Sequence, residues 1–303
     1  MGIFSRFFGK KQTDDTATQL TVNDAIPEDE RLGLQLLLSQ SPQIDQAKFI
    51  QSLRAFSPQL RKARCEFDGS LSAEHVLFGL VGWGKHVVQV LGFDAPMPAQ
   101  FVEACVAPAH YPQEVKDEAR VHRSHIMLWY AGYDAEPLER YIALAAVASA
   151  LAQFGGIIIL NETAHTSLPA GIFNTDDVGD DRVELLRNFP LSMLFCGFVK
   201  YEVEGVTGVW MRTYGAEKFG IPNLAALANG HHEGSRYCDI FDNVMLYLRT
   251  SKAEMLPGHT MQIGEEEFLR CRKPEKDEYF LQDETPTLVF EIISADQINK
   301  PAR

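Results

Sequence analysis

The chain has 303 residues, 46% of them apolar and 23% charged, with a formal net charge of -13. Such proportions fit one large globular domain or two ordinary ones and exclude wholesale disorder. The negative balance repels phosphate backbones, so no nucleic-acid partner is expected, while a basic protein partner or a small ligand is compatible with it.

Five cysteines, Cys65, Cys105, Cys196, Cys238 and Cys271, are far apart, odd in number and without a C-x-x-C pair. That is the pattern of free, mostly buried thiols in a reducing compartment, and not of a disulfide framework or zinc knuckle. No apolar run reaches bilayer length, and the N-terminus has neither the apolar stretch nor the cleavage site of a secretory signal. A soluble, cytoplasmic protein is therefore expected.

Residues 1–11 (Met1-Gly2-Ile3-Phe4-Ser5-Arg6-Phe7-Phe8-Gly9-Lys10-Lys11) are basic and aromatic in an acidic chain. On a helix Ile3, Phe4, Phe7 and Phe8 share a face, which suits a weak membrane-surface contact or a docking segment; a peptide this short is marginal as a helix, so a loose tail is the plainer reading. Residues 12–30 are polar, with Asp14, Asp15 and several threonines, and read as a flexible linker ahead of a globular region at 31–303. Alternating leucines from Leu32 to Leu38 predict a strand, and Ile44 to Phe56 predicts a helix striped by Phe49, Leu53 and Phe56. A short strand follows at Cys65 to Phe67. Val76 to Leu80 and Val87 to Leu91 flank a glycine-rich turn and predict a hairpin. Pro96-Met97-Pro98 breaks the chain before a helix from Pro98 to Cys105.

The middle carries the clearest pattern. Ile126 to Tyr130 reads as a strand, Leu138 to Phe154 as an alanine-rich helix closed by Gly155-Gly156, and Ile157 to Leu160 as a buried strand. Strand, long helix and strand make a parallel βαβ unit. Downstream, Leu191 to Tyr201 and Val206 to Arg212 read as strands joined across Glu204-Gly205. Ile221 to Ala228 reads as a short helix beginning at Pro222, and Arg236 to Leu248 as an amphipathic helix. Phe268 to Arg272 and Thr287 to Ile293 read as closing strands. With one βαβ unit among many strands, the fold class expected is α+β, a mixed sheet with packed helices.

Motifs for chemistry are sparse. Gly79-Leu80-Val81-Gly82-Trp83-Gly84-Lys85-His86 approaches a phosphate-binding loop, but His86 stands where Ser or Thr is needed and a strand follows where a helix is needed. His122 and His125 have ligand-like spacing without a third ligand nearby, and adjacent His231, His232 and Glu233 project apart, so neither set predicts a metal. No cofactor motif and no G-x-S-x-G elbow is present.

One crevice is predicted from topology. Ligands gather beyond the carboxyl ends of parallel strands, near helix N-termini. Beyond Tyr130 lie Tyr133 and Asp134; beyond Leu160 lie Asn161, Glu162, Thr163 and His165. Glu162 as base or ligand anchor, with His165 as its partner, is the pair to test, and Asp134 doubles as a helix cap. A polar loop after a buried strand is the plainer reading of the same residues.

Trp210-Met211-Arg212-Thr213-Tyr214-Gly215-Ala216-Glu217-Lys218-Phe219-Gly220-Ile221-Pro222-Asn223-Leu224 resembles the hallmark of a bacterial family, Domain of Unknown Function 4261, and the continuation through Tyr247-Leu248 and Leu256-Pro257-Gly258-His259-Thr260 is similar to it as well. The likeness covers roughly residues 190–270; upstream, the βαβ region and Leu168-Pro169-Ala170-Gly171 share it in general form. The resemblance implies bacterial origin and a shared fold. It implies no mechanism, since the family has no established activity. Two functional readings follow: a non-catalytic binding or interaction module, for instance the neutralising partner of a basic toxin, and a hydrolytic enzyme using Glu162 and His165.

Overall fold

The computed structural model describes residues 19–27, 30–68, 77–174, 179–282 and 285–298. The basic aromatic segment 1–11 and the first part of the expected linker, 12–18, lie outside the described residues. Residues 19–27, the later part of that linker, lie against the folded body. Leu20 is buried with Leu80, Val87 and Ala131, and the Asn23 amide donates to the Ala131 carbonyl at 2.8 Å. The short apolar pair Leu20 and Val22 is what a reading by polar composition passes over.

Thirteen strands and seven α-helices are formed among the described residues. In chain order they are β1 (Gly33–Leu38), α1 (Gln46–Ala55), β2 (Arg64–Asp68), β3 (Leu77–Trp83), β4 (His86–Phe93), α2 (Ala99–Val106), α3 (Gln113–Arg120), β5 (Ser124–Tyr130), α4 (Pro137–Ala152), β6 (Gly156–Asn161) and β7 (Thr166–Pro169). There follow α5 (Arg182–Arg187), α6 (Leu191–Leu194), β8 (Gly197–Tyr201), β9 (Val209–Tyr214), β10 (Asn223–Ala228), α7 (Gly234–Ser251), β11 (Thr260–Gln262), β12 (Glu267–Arg272) and β13 (Thr287–Ser294). The α+β class holds, and the strands form two sheets. The first has the order β2-β3-β4-β5-β1-β6-β7; the second has the order β11-β12-β13-β10-β9-β8. No helix among the described residues is long and apolar enough to cross a membrane.

β5, α4 and β6 realise the expected unit in a split form. β1 lies between the two strands and is antiparallel to both, so β5 and β6 run the same way without touching. α4 packs on β1, β4, β5 and β6 from one side and meets α1 and α5 on the other. Every residue from Tyr141 to Ala152 is buried. A helix apolar on all sides belongs in such an interior, and its alanines permit close approach to the sheet. The other face of β1 and β6 is covered by α2 and α3, where Leu37, Val102, Cys105, Ile158 and Leu160 pack together.

The near-match to a phosphate loop is a hairpin turn. Trp83 pairs with His86, and Gly84 takes φ +53° between them, a conformation glycine adopts without strain. Two expected elements change type. Leu191–Leu194 is one helical turn and not the start of a strand: Pro190 opens it, and the carbonyl of Leu191 accepts the amides of Phe195 and Cys196. Asn223–Ala228 is a strand and not a helix. Its alanines and leucines favour a helix locally, but the segment lies inside the second sheet, between β9 and β13. There Leu224, Ala226 and Ala228 join the main core while Ala225 packs beside Trp210, Val289 and Leu281 on the opposite face. A near-continuous apolar run suits a strand covered on both faces, and tertiary packing overrides propensity.

The two sheets meet through side chains of one continuous core. Tyr141 of α4 stacks on Phe195 and Phe219 at 5.4 and 5.7 Å between centroids. Gly197 at the start of β8 approaches the loop after β6 so closely that an added Cβ would lie 1.6 Å from the Ala164 carbonyl oxygen.

Candidate functional site

The five residues singled out from sequence fall into two separate places. Tyr130 lies level with Leu32 and Leu160 level with Gln35, two strands apart, which sets their Cα atoms roughly 14 Å from each other. Tyr133 and Asp134 continue from the first. The Tyr133 hydroxyl donates to the Val22 carbonyl at 3.2 Å and so fastens residues 19–27. Asp134 accepts from the Glu136 amide at 3.0 Å in the turn before α4; the helix is capped by Glu136 without a side-chain bond, so Asp134 is not its cap.

The other three share the loop where the sheets meet. Asn161 is fully buried; its amide donates to the Leu194 and Phe195 carbonyls at 3.1 and 3.3 Å and its oxygen accepts from Thr163. Those bonds join β6 to α6. Glu162 opens a 3-10 turn, and burial alone pushes its carboxyl above the ordinary range. His165 closes that turn in the left-handed region at φ 51°, and its ring stacks on Tyr214 at 4.6 Å. The histidine ring is thus held against the second sheet while Glu162 faces α2, where burial, and after it the Glu162 charge, raise the Cys105 thiol. Glu162 and His165 thus sit at the two ends of one 3-10 turn.

The remaining polar clusters are explained by packing. His122 uses both ring nitrogens on main chain, accepting from the Met97 amide at 2.7 Å and bonding the Ala119 carbonyl at 2.8 Å. His125 stacks on Phe93. His231 pairs with Glu202 at 3.1 Å on the surface, while Glu233 accepts from the Asn229 amide at 2.6 Å. Ser192 donates both its hydroxyl (2.6 Å) and its amide (3.1 Å) to Asp242, so this carboxylate caps α6 from α7.

The rule that pointed to the β5 and β6 ends applies with more force elsewhere. β10 and β13 form the parallel hydrogen-bonded pair among the described strands. β10 leads directly into α7, whose N-terminus stands at the carboxyl end of that pair. There the two strands part, leaving a cleft of about 430 Å³, a size common for ligand pockets. Its walls are Leu227 from β10, Asn229 and Glu233 from the connection after it, Arg236 and Tyr237 from α7, Glu267 and Arg272 from β12, and Val289 to Ile292 from β13. Arg236 pairs with Glu267 at 2.6 Å and ties α7 to β12. Arg272 bonds Glu278 through two nitrogens at 2.6 Å each and Glu291 at 3.0 Å. Burial pushes Glu278 up, but the Arg272 bonds, the Glu275 amide and the Arg272 charge outweigh it and hold the carboxyl below its usual value. Burial, then the Glu233 charge, raise the Tyr237 phenol. The crevice therefore presents two ion pairs and the Glu233 carboxylate beside apolar Leu227 and the strand edge at Val289 and Phe290. Sequence reading missed it because β10 reads as a helix, which hides the parallel pair; the available signal was Leu224-Ala225-Ala226-Leu227-Ala228 followed by Asn229-Gly230, a strand run into a glycine turn and a helix.

A family model described as Domain of unknown function (DUF4261) matches residues 212–291, the family that the 210–224 stretch resembles. The match runs from Arg212 in β9 to Glu291 in β13 and takes in all but one of the crevice residues. No curated protein and no solved structure gives a significant match.

Proposed function

We propose that this chain is a binding module whose ligand site is the crevice at the carboxyl ends of β10 and β13. The observation that carries the reading is the cleft itself. It lies where the parallel pair parts, beside the N-terminus of α7, and four of its charged side chains, Arg236 with Glu267 and Arg272 with Glu291, are already committed to ion pairs. Ion-paired groups orient and select a ligand; they are poorly placed to act as free acids or bases. The charge of -13 favours a basic partner, the chemistry a toxin-neutralising protein would meet. The hydrolase reading keeps one supporting feature, the raised Glu162 carboxyl.

A thermal-shift screen of small molecules and short peptides tests the reading. A ligand that binds the folded state raises its melting temperature. The crevice reading expects ligands that stabilise the wild type and Glu162→Ala and His165→Ala alike, with the shift abolished in Leu227→Trp, whose ring fills the cleft. Loss of the shift in the two loop variants, with retention in Leu227→Trp, moves the site to the Glu162 loop.

A further inference from the structure

The hydrogen-bond ladder between β10 and β13 ends before either strand does. Its pairs run from Asn223 with Thr287 to Ala225 with Val289, yet β10 continues to Ala228 and β13 to Ser294. The Asn223 amide donates to the Pro286 carbonyl at 2.9 Å, which fixes the sense of the ladder. Along a strand, the N–H and C=O of one residue point to one side and those of the next to the other. Counting in twos from that bond, Leu227 of β10 and Phe290 and Ile292 of β13 direct main-chain groups toward each other. The rungs due there, Leu227 amide to Phe290 carbonyl and Ile292 amide to Leu227 carbonyl, are not made. β9 occupies the opposite edge of β10, and β12 the opposite edge of β13. The crevice is walled by four consecutive residues, Val289 to Ile292. Consecutive strand side chains alternate between faces, so such a wall is the strand's edge.

We infer that the crevice receives a short stretch of extended peptide bearing a cationic side chain, its main chain supplying the missing rungs. The inference rests on the binding reading above and names its ligand class. Open main-chain groups at strand spacing are matched by another strand, the mode of recognition by strand addition. Three carboxylates, Glu233, Glu267 and Glu291, outnumber the two guanidinium groups of Arg236 and Arg272 around the cleft, so a positive side chain improves the balance. Leu227, 42% exposed at the floor, offers apolar contact to a neighbouring side chain.

The test uses full-length protein and fluorescence anisotropy. The probe is a labelled hexapeptide of alternating lysine and valine. Beside it stand the glutamate–valine hexapeptide, a lysine–valine hexapeptide methylated on alternate main-chain nitrogens, and free lysine as competitor. Losing one or two main-chain bonds is expected to weaken binding by about tenfold. The inference expects that loss on N-methylation, weaker binding of the glutamate peptide, and weaker lysine–valine binding by Glu291→Lys. The methylated peptide keeps the test decisive on the wild type even when that variant does not fold. Equal affinity of methylated and parent peptides, competition by free lysine at matched concentration, or no binding of the parent at millimolar concentration overturns the inference. The broader reading fails separately, when no ligand of any class depends on Leu227.

Discussion

The two sheets place same-direction strands in opposite ways. In the first, β5 and β6 run the same way and α4 crosses between them, but β1 is inserted and every neighbouring pair is antiparallel. In the second, β10 and β13 touch directly, α7 follows β10, and the pair parts after three rows. The inserted strand closes the gap that a crossover would otherwise leave, and α4 becomes a core element. The direct pair leaves open edges at the carboxyl ends of its strands. A crossover helix does not by itself make a crevice; the strands it joins must be neighbours that then diverge.

The largest effect expected lies in the closed half. Leu144 of α4 is fully buried. Leu144→Asp sets an unpartnered carboxylate against the sheet and costs about 3 kcal/mol or more. Circular dichroism is expected to find no cooperative melt; a wild-type melt would make α4 peripheral and dissolve the contrast. Next comes the seam between the sheets. Gly197→Ala drives a methyl group into the Ala164 carbonyl and is expected to cost about 1–3 kcal/mol by overpacking. A change within error in urea unfolding would mean that the seam yields freely. In the open half, Leu227→Trp is expected to shift stability by less than about 1 kcal/mol, since the site is partly exposed, while removing ligand response. A large loss of stability there would make the crevice structural.

The smallest effect concerns Glu162. Burial raises its folded carboxyl, so the folded state holds its proton to higher pH than the unfolded chain. Stability is then gained as pH falls through the raised value and is diminished above it. Glu162→Gln removes that cost. The variant is expected to melt at or slightly above the wild type at pH 7 and to converge with it below the usual carboxylate value of 4.5. A lower melting temperature at pH 7 would reveal a stabilising partner for the carboxylate.

Periodicity made most of the first sheet legible. β1, α1, the β3–β4 hairpin, β5, α4 and β6 follow from alternation, helical stripes and glycine stops. The insertion of β1 between β5 and β6 was not legible, because pairing depends on which apolar faces meet across roughly 90 residues of chain to β5 and roughly 120 to β6, and not on any segment alone. In the second half, composition misled. Asn223–Ala228 carries helix-favouring residues, and only contact with Met211 on one edge and Leu288 on the other makes it a strand. The site followed the same course. Periodicity exposes the pair ending at Tyr130 and Leu160, whereas the strands that pair directly in parallel are β10 and β13. Asn161 also looked like a ligand group from sequence and is instead the bond between β6 and α6.

Residue-resolved amide hydrogen exchange tests the open crevice most directly. The ladder gives the Ala225 amide a partner in Leu288 and the Phe290 amide a partner in Ala225, while the Leu227 and Ile292 amides face the cleft. In the unliganded protein the latter two are expected to exchange about a hundredfold faster than the former, because no rung has to open first. Adding a ligand of the crevice is expected to slow those two selectively. Leu227 and Ile292 amides as slow as those of Ala225 and Phe290 before any ligand is added would show a closed ladder and contradict the account.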